Sequence, residues 1–252
     1  MAELKLVSYN LQNGTRQGAL VANIRSFAAA GADIFCLQEV RPPEQAGFIG
    51  DDILKALGPD WAGKFFLSPK PENFDFGVGI IWRQSKLHVK ASENLPLPRL
   101  PHWTWWERYT ETFLTGQREP FQRGSLIVSF EVGGRTIRVA NVHMDWAGGV
   151  AHRLGQLRHI LDYLHQLPPA DGEIICGDFN TIGFLDNTAQ MKEINAALGE
   201  QFVSSFPTFQ RTTTHFQHLD HIFVRNLQIK EAAVHPLPGS DHYPIVAAIS
   251  TQ

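Results

Sequence analysis

Short apolar runs separated by polar and glycine-containing segments predict strands and helices along the whole chain. Residues 4–9 form a β-prone run, residues 19–30 an alanine-rich helix that ends before Gly31, and residues 33–38 a second apolar strand. Further helices are predicted at 50–57, 149–167 and 191–198, and further strands at 76–82, 87–90, 124–131, 135–143, 173–176, 219–224 and 245–249. The chain therefore opens as strand, helix, strand, and both types of element continue to its end.

Turns between the predicted strands indicate which of them are neighbours. The Gly133-Gly134 turn between 124–131 and 135–143 is the clearest hairpin signal. The polar turn 83–86 predicts a second strand pair, formed by 76–82 and 87–90. Residues 92–122 hold four prolines and a cluster of tryptophans, and they predict an insertion loop. We find no repeat or linker, so residues 1–252 are expected to form a single domain.

Composition and charge narrow the class of protein. Hydrophobic residues make up 43% and charged residues 19% of the 252 residues, which is typical of a globular protein with a sizeable core. The net charge of −3 gives no global basic field for a polyanion, although a local basic groove stays open. The absence of an apolar run of about 18 residues predicts no transmembrane segment, and we expect a cytoplasmic location. Cys36 and Cys176 lie in apolar runs and are expected to be buried, reduced thiols.

Polar residues that follow apolar strands carry the candidate chemistry. Carboxylates are supplied by Glu39, Asp178 and Asp241, and amide oxygens by Asn10 and Asn180. Hard cations such as Mg²⁺ or Mn²⁺ prefer these oxygen ligands, whereas zinc would favour cysteine or more histidine. Asp and Asn are also common turn residues, so each residue taken alone would more often have a structural role, and the combination carries the prediction.

Six ordered motifs identify a family resemblance that covers nearly the whole chain. The motifs are Ser8-Tyr9-Asn10, Leu37-Gln38-Glu39, Asn141-Val142-His143, Gly177-Asp178-Phe179-Asn180, Leu219-Asp220-His221 and Ser240-Asp241-His242-Tyr243-Pro244. In this order they resemble the endonuclease/exonuclease/phosphatase superfamily, which has the DNase I-like fold. The resemblance implies an α/β (α+β) fold in which two packed mixed β-sheets flanked by helices form a four-layer sandwich, with a metal-assisted hydrolysis site at one rim.

The resemblance also implies a role for each matching residue. Glu39 would be the principal metal ligand, supported by Asn10 and Asp241. Asp178 would orient or deprotonate the attacking water, while Asn180 would hold that water or a phosphoryl oxygen. His242 would bind the phosphoryl group or transfer a proton, with Asp220 fixing its tautomer, and His143 would face the phosphate or the leaving group. Asp178 and His242 are alternatives for the general base, and the sequence leaves this choice and the number of metal ions open.

Two further residues are candidates for substrate binding. Arg123 stands before a predicted strand, where it would clamp phosphoryl oxygens or serve as a solvated arginine. Trp105 lies in a tryptophan-rich segment, 102–109, with three interpretations: a stacking platform for bases or sugars, an apolar anchor for a lipid or membrane surface, or an aromatic lid packed on the core.

The expected function is therefore a divalent-metal-dependent phosphoesterase that acts on a phosphodiester or a phosphomonoester. A nuclease acting on DNA or RNA is the first alternative, and a catalytically silent binding module of the same fold is the second. The partner would be a phosphate-ester substrate, which the sequence leaves open as a small molecule, a lipid head group or a nucleic acid. Nothing in the sequence indicates the oligomeric state.

Overall fold

The first of two mixed β-sheets contains the amino-terminal strands of the chain. The computed structural model describes residues 2–40, 48–67, 77–115, 119–120, 122–182 and 188–251. This sheet has the strand order β11-β12-β1-β2-β4-β3. Its strands are β1 (Ala2–Asn10), β2 (Ile34–Val40), β3 (Trp61–Leu67), β4 (Gly77–Arg83), β11 (Gln228–Val234) and β12 (Ile245–Thr251). Only β1 and β2 run parallel, because a helix connects them, and every other pairing in the sheet is antiparallel.

The second sheet has the order β5-β6-β7-β8-β10-β9 and, like the first, has one parallel pair of strands at its centre. Its strands are β5 (His88–Pro96), β6 (Gly124–Val132), β7 (Arg135–His143), β8 (Gly172–Asp178), β9 (Phe202–Ser204) and β10 (Asp220–Arg225). The predicted hairpin is confirmed, since β6 and β7 pair antiparallel across the Gly133-Gly134 turn. A helix joins β7 to β8, and these two central strands run parallel.

Helices cover the outer face of each sheet and complete the predicted four layers. The first sheet is covered by α1 (Gln17–Ala29) and α2 (Ile49–Leu57), and the second by α4 (Gly149–Gln166) and α5 (Thr188–Leu198). A further helix, α3 (Trp105–Thr115), follows β5, and a short 3-10 turn spans Gln12–Gly14. None of the helices in the described ranges is long and apolar enough to span a bilayer.

The main core lies between the two sheets, where alternate residues of the central strands meet. Leu6 and Cys36 of the first sheet pack in one cluster with Val139 and Cys176 of the second. Strands covered on both faces are apolar at most positions, and so the sequence shows them as short continuous runs. Both cysteines are free and buried, as predicted.

Two predictions about residues 76–122 are wrong. The strands predicted at 76–82 and 87–90 correspond to β4 and β5, but these belong to different sheets, so the turn between them connects the sheets instead of closing a hairpin; residue 76 lies outside the described residues. The predicted insertion loop at 92–122 includes the end of β5, up to Pro96, and all of α3. Strong local signals at Thr104 and Glu107 explain that helix, because the Thr104 hydroxyl accepts from the Glu107 N–H (3.3 Å) and Glu107 Oε2 accepts from the Thr104 N–H (2.8 Å).

Candidate active site

The two central pairs of parallel strands carry four of the predicted site residues to one edge of the sandwich. Asn10 ends β1 and Glu39 lies next to the end of β2 in the first sheet. His143 ends β7 and Asp178 ends β8 in the second, where they are register partners. Carboxyl ends of parallel strands meet at the same edge of a sheet, and the two sheets are packed face to face, so the four side chains converge.

The antiparallel neighbours of these strands bring the remaining predicted residues to the same edge. Asp220 begins β10 directly opposite Asp178. Asp241 and His242 precede β12, which runs antiparallel to β1 and therefore starts where β1 ends. The Ser240 hydroxyl donates to the Asn10 carbonyl (2.8 Å) and accepts from the His242 N–H (3.1 Å), which holds this segment against the end of β1.

An asparagine joins the two carboxylates at the centre of the site. Asn10 Nδ2 donates to Glu39 Oε1 (3.2 Å) and to Asp178 Oδ2 (3.0 Å), while Asn10 Oδ1 accepts from the Gln12 N–H (3.0 Å). The structure thus turns the amide nitrogen toward the carboxylates, whereas we expected the amide oxygen there as metal support. Asn10 fixes the spacing between Glu39 and Asp178.

Two histidines direct the same ring nitrogen at Asp178. His143 Nε2 lies 3.7 Å from Asp178 Oδ2 and 4.0 Å from Glu39 Oε1, and His242 Nε2 lies 3.8 Å from Asp178 Oδ2. On its other side, His242 Nδ1 is 2.9 Å from Asp220 Oδ2. A carboxylate at Nδ1 fixes the ring orientation and keeps the proton on that nitrogen.

The charges beside these buried groups give the two histidines opposite protonation. Burial alone would lower the pKa of His242, but the carboxylates of Asp220 and Asp178 raise that pKa to about 10, so the ring is an imidazolium at neutral pH. Burial, followed by the positive charges of Arg123 and His242, lowers the pKa of His143 well below its usual value. His143 is therefore neutral where His242 is charged.

Burial also perturbs the carboxylates. It raises the pKa of Asp178 to about 7, with a further increase from Asp220 and an opposing effect of His242. Burial likewise raises the pKa of Glu39, against the opposing charges of His242 and Arg123. The pKa values of both carboxylates stay raised although cationic side chains lie nearby, so their charged forms lack stabilising positive charge.

A divalent cation fits this surplus of negative charge. Glu39 and Asp178 both accept hydrogen bonds from the Asn10 amide, and the negative charge of Asp241 further raises the pKa of Glu39. Within the described part of the chain, the donor atoms of Asp178, Asp220 and His242 also lie within 4.8 Å of one another, close enough to share an ion. The Asp220–His242 hydrogen bond already occupies two of those donors, which favours the Glu39 side for the cation.

Two site residues have a left-handed backbone conformation that residues other than glycine rarely adopt. Glu39 has a φ of 53° at a bulge between Gln38 and Val40, and Asn180 has a φ of 49°. Asn180 is held by its N–H to Asp178 Oδ1 (2.8 Å) and by Nδ2 to the Met144 carbonyl (2.8 Å). Left-handed backbone at non-glycine residues costs about 1–3 kcal/mol and persists where the surroundings impose it, commonly at functional sites.

The structure places Arg123 behind His143, and the guanidinium faces inward. Its side chain is only 6% exposed, with Nη1 3.0 Å from His143 Nδ1 and Nε 3.3 Å from Asp145 Oδ1. A guanidinium can only donate, so His143 Nδ1 accepts and Nε2 carries the proton. The predicted direct contact between Arg123 and a phosphate stays a prediction.

Asp145 and His152 lie behind the site and were missed by our sequence interpretation. Asp145 Oδ2 lies 2.8 Å from His152 Nε2 and accepts from Gln156 Nε2 (2.9 Å), and its N–H donates to Gln156 Oε1 (3.0 Å). The spacing of Asp145 two residues after His143 was an available signal. A buried carboxylate needs partners of this kind, and here they connect Arg123 to α4.

Trp105 and its neighbours divide into buried and exposed residues. Trp103 is buried and packs with Ala147, Leu100 and Trp146, so the lid interpretation describes that residue. Trp105 is 78% exposed at the start of α3. Core packing does not explain such exposure, and a role for Trp105 in substrate binding stays a prediction.

Comparisons of sequence place this arrangement among known proteins. The model of the Endonuclease/Exonuclease/phosphatase family matches residues 7–242. The UPF0294 protein VV2535 of Vibrio vulnificus (strain YJ016) is 24% identical over 253 residues, which cover 98% of this chain and 77% of that protein.

Comparisons of structure agree on the fold. An endonuclease/exonuclease/phosphatase from Bacteroides vulgatus superposes with a TM-score of 0.75 at 17% identity, covering 100% of both chains. A mannosyl-6-phosphatase of Bacteroides thetaiotaomicron VPI-5482 superposes with a TM-score of 0.69 at 16% identity, covering 98% of this chain and 99% of that one. At these identities the likeness shows the shared fold alone.

Proposed function

Because the chain belongs to the Endonuclease/Exonuclease/phosphatase family, we propose that it is a divalent-metal-dependent phosphoesterase that hydrolyses a phosphodiester or a phosphomonoester by in-line attack of water. The observation that carries this proposal is that His143 Nε2 and His242 Nε2 lie 3.7 and 3.8 Å from Asp178 Oδ2, beside Glu39, whose Oε1 is 4.0 Å from His143 Nε2. The proposal treats residues 1–252 as one catalytic domain that acts in the cytoplasm.

Glu39 is the proposed principal ligand of Mg²⁺ or Mn²⁺, with Asp241 in support. Asn10 donates to Glu39 and Asp178 together, so its role is to hold the two carboxylates at a set distance. When bound, the cation would neutralise charge on the phosphoryl oxygens and assist ionisation of water. Bulges commonly redirect a side chain, and at this one Glu39 Oε1 accepts from Asn10 Nδ2.

Asp178 and His242 are the proposed pair for proton transfer. A carboxyl group whose burial raises its pKa to about 7 is suited to accept a proton from water near neutral pH. The charged His242 ring donates from Nε2 to a phosphoryl oxygen or to the leaving oxygen, and Asp220 holds its other nitrogen. Asn180, fixed by Asp178 and Met144, orients the water or a phosphoryl oxygen beside them.

His143 is the proposed neutral donor to the phosphoryl group. Arg123 occupies its Nδ1, so the proton on Nε2 points toward the carboxylates and the space between them. Asp145 compensates the charge of Arg123, and His152 and Gln156 hold Asp145 in turn. The effect of this chain of contacts is to present one fixed hydrogen-bond donor without adding a second positive charge at the phosphate.

The test is a panel of phosphoesters assayed with several metals. Purified protein would be incubated with bis-p-nitrophenyl phosphate, p-nitrophenyl phosphate, plasmid DNA, RNA and phospholipid in Mg²⁺ or Mn²⁺. We expect turnover of at least one ester, abolished by EDTA and reduced about 10²–10⁴-fold in Asp178→Asn. Asp171→Asn is the matched control, since Asp171 precedes the other end of β8 and accepts from the Thr136 N–H (2.7 Å).

The same panel separates the alternatives. Turnover of DNA or RNA alone would favour the nuclease, and no turnover of any ester with any metal would favour the silent binding module. Metal binding has an independent readout: Mn²⁺ is expected to raise the thermal unfolding midpoint of the wild type and not that of Glu39→Gln.

A further inference from the structure

The α3 helix leaves an unusual amount of aromatic surface uncovered. Four of its side chains lie on the exposed side, where Trp105 is 78%, Trp106 57%, Tyr109 61% and Phe113 78% exposed. We call these four residues the α3 aromatic face. Leaving one large aromatic side chain in water costs about 1.5–3 kcal/mol relative to burial, so a face of four contiguous rings is typical of a surface that binds something.

The α3 aromatic face is held on the body of the protein. Glu107 on the opposite side of the helix accepts from the Gly148 N–H (2.7 Å), and the Thr104–Glu107 capping box fixes the first turn. Gly148 lies three residues after Asp145, which is part of the network behind His143. The Glu107–Gly148 hydrogen bond therefore connects α3 to the segment that follows Asp145 at the candidate active site.

Two arginines line a cavity next to α3. The cavity has a volume of about 240 Å³ and is lined by Arg99 and Arg108 together with His102 and the acidic Glu119. Arg99 and Glu119 are 3.8 Å apart, and their side chains are 42% and 75% exposed. Tryptophan and tyrosine next to arginine are typical of surfaces that meet the head-group region of a bilayer, where rings enter the interface and cations meet anionic lipids.

The central ring of the face, Tyr109, is not free for stacking of a nucleobase. Tyr109 is stacked with Trp106 on one side (5.9 Å, 24° between planes) and with Phe113 on the other (6.5 Å, 11°). Both faces of the central ring are therefore directed at neighbouring rings. Bases bind aromatic side chains through their faces, whereas acyl chains pack equally well against ring edges.

We propose that the α3 aromatic face docks the protein on an anionic phospholipid surface, with the helix in the plane of the interface and the basic residues of the neighbouring cavity against the head groups. In combination with the proposed phosphoesterase function, on which this further step rests, the docking assigns the head-group phosphoester of a lipid as the substrate class. Docking itself requires no turnover, so the two proposals are tested separately.

The first experiment measures binding to vesicles. Wild-type protein and the double variant Trp106→Ser/Phe113→Ser would be co-sedimented with vesicles of equal parts phosphatidylcholine and phosphatidylglycerol, and with phosphatidylcholine alone. We expect the wild type to bind the anionic vesicles at least about tenfold more tightly than the double variant and more tightly than the neutral vesicles, with a blue shift of tryptophan fluorescence.

The matched control is Val203→Ser/Phe216→Ser, which removes two apolar side chains, each 56% exposed, away from α3. We expect this control to bind as the wild type does. Phe113→Gln alone is a second probe with less effect on folding, and thermal unfolding checks that each variant is folded. No binding by the wild type, or equal loss in the control, would overturn the docking proposal.

Other occupants of the face give distinct results. Tryptophan fluorescence that responds to poly(dT) or poly(U) and not to vesicles would overturn the proposal in favour of nucleic acid. Concentration-dependent dimerisation that is lost in the double variant, without vesicle binding, would overturn it in favour of a second copy of the chain. Asp178→Asn distinguishes the two proposals, because it is expected to bind vesicles as the wild type does while losing hydrolysis of the phosphoester.

Discussion

The contact between Arg123 and His143 supports a substitution with a predictable size of effect. Arg123→Lys keeps the positive charge beside Asp145 but removes the planar fork that reaches His143 Nδ1 (3.0 Å) and Asp145 Oδ1 (3.3 Å) at once. A hydrogen bond that involves a charged group contributes about 1.5–3 kcal/mol. If that bond orients His143 in the transition state, its loss lowers kcat by about 10–150-fold.

The assay is steady-state hydrolysis of bis-p-nitrophenyl phosphate with saturating Mn²⁺, accompanied by urea unfolding. Arg138→Lys is a matched control, because Arg138 is also buried and its guanidinium contacts Glu173 Oε1 (2.9 Å) and Ser129 Oγ (3.3 Å) toward the opposite end of the second sheet. Both substitutions are expected to reduce stability by a similar amount. Only Arg123→Lys is expected to reduce kcat beyond about twofold, since the control lies far from the chemistry along β7.

A double-mutant cycle tests whether Arg123 acts through His143. In a His143→Asn background the ring is gone, so Arg123→Lys is expected to change kcat by much less than in the wild type. The reasoning is refuted if Arg123→Lys lowers kcat by the same factor in both backgrounds, which would mean that the guanidinium contacts the phosphate directly. If Arg123 acts by orienting His143, the KM of Arg123→Lys is also expected to change less than its kcat.

Three further predictions concern pH, backbone geometry and the Asp220–His242 pair. Burial lowers the pKa of His218 to about 4 from an ordinary 6.5, so the unfolded chain takes up the proton first as the pH falls. The free energy of unfolding is therefore expected to fall by about 3 kcal/mol between about pH 6.5 and pH 4. Urea unfolding across this range checks the prediction, and His218→Gln is expected to flatten the pH dependence. Gly177→Ala is expected to lower the free energy of unfolding by more than about 3 kcal/mol, because Gly177 has a φ of 135° and an added Cβ would lie 2.0 Å from the Val142 carbonyl oxygen. Gly155→Ala on α4, where an added Cβ meets open space, is expected to raise the free energy of unfolding by about 0.5–1 kcal/mol in the same assay. Asp220→Asn removes the carboxylate that raises the pKa of His242, so the alkaline limb of the kcat/KM profile is expected to move to lower pH; an unmoved limb would contradict the assignment of His242 as the acid.

The strands that the sequence predicts well are the ones that the fold buries on both faces. β1, β2, β7 and β8 lie inside their sheets and most of their residues are buried, which leaves apolar runs such as 34–37 and 174–176 that stand out in the sequence. The prediction missed β3, β9 and β11 and wrongly paired β5 with the central strand β4; β3, β5, β9 and β11 are all sheet edges. An edge strand has one neighbour and a largely exposed face, so its residues are mixed and its partner is set by packing that no local pattern records.

The contacts within the site depend on features that residue types do not show. The motifs predict Glu39 as a metal ligand, and the position of Arg123 before a strand is compatible with a phosphate contact, but neither reveals the left-handed backbone at Glu39 or the inward turn of Arg123. The bulge depends on the pairing of β2 with β4, which are separated by more than 35 residues. The direction of Arg123 depends on the buried charge of Asp145, which in turn depends on α4.

The division between central and edge elements also separates the chemistry from the choice of substrate. The residues proposed to act on the phosphate lie at the ends of central strands, whose length and register are constrained on both sides. The α3 aromatic face follows the edge strand β5, where a helix can be added without disturbing a neighbouring strand. A fold arranged in this way can keep one hydrolytic centre while the elements at the rim change the surface or molecule it meets. Substitutions on α3 are therefore expected to change where the protein acts, and substitutions at Asp178 or His242 to change whether it acts at all.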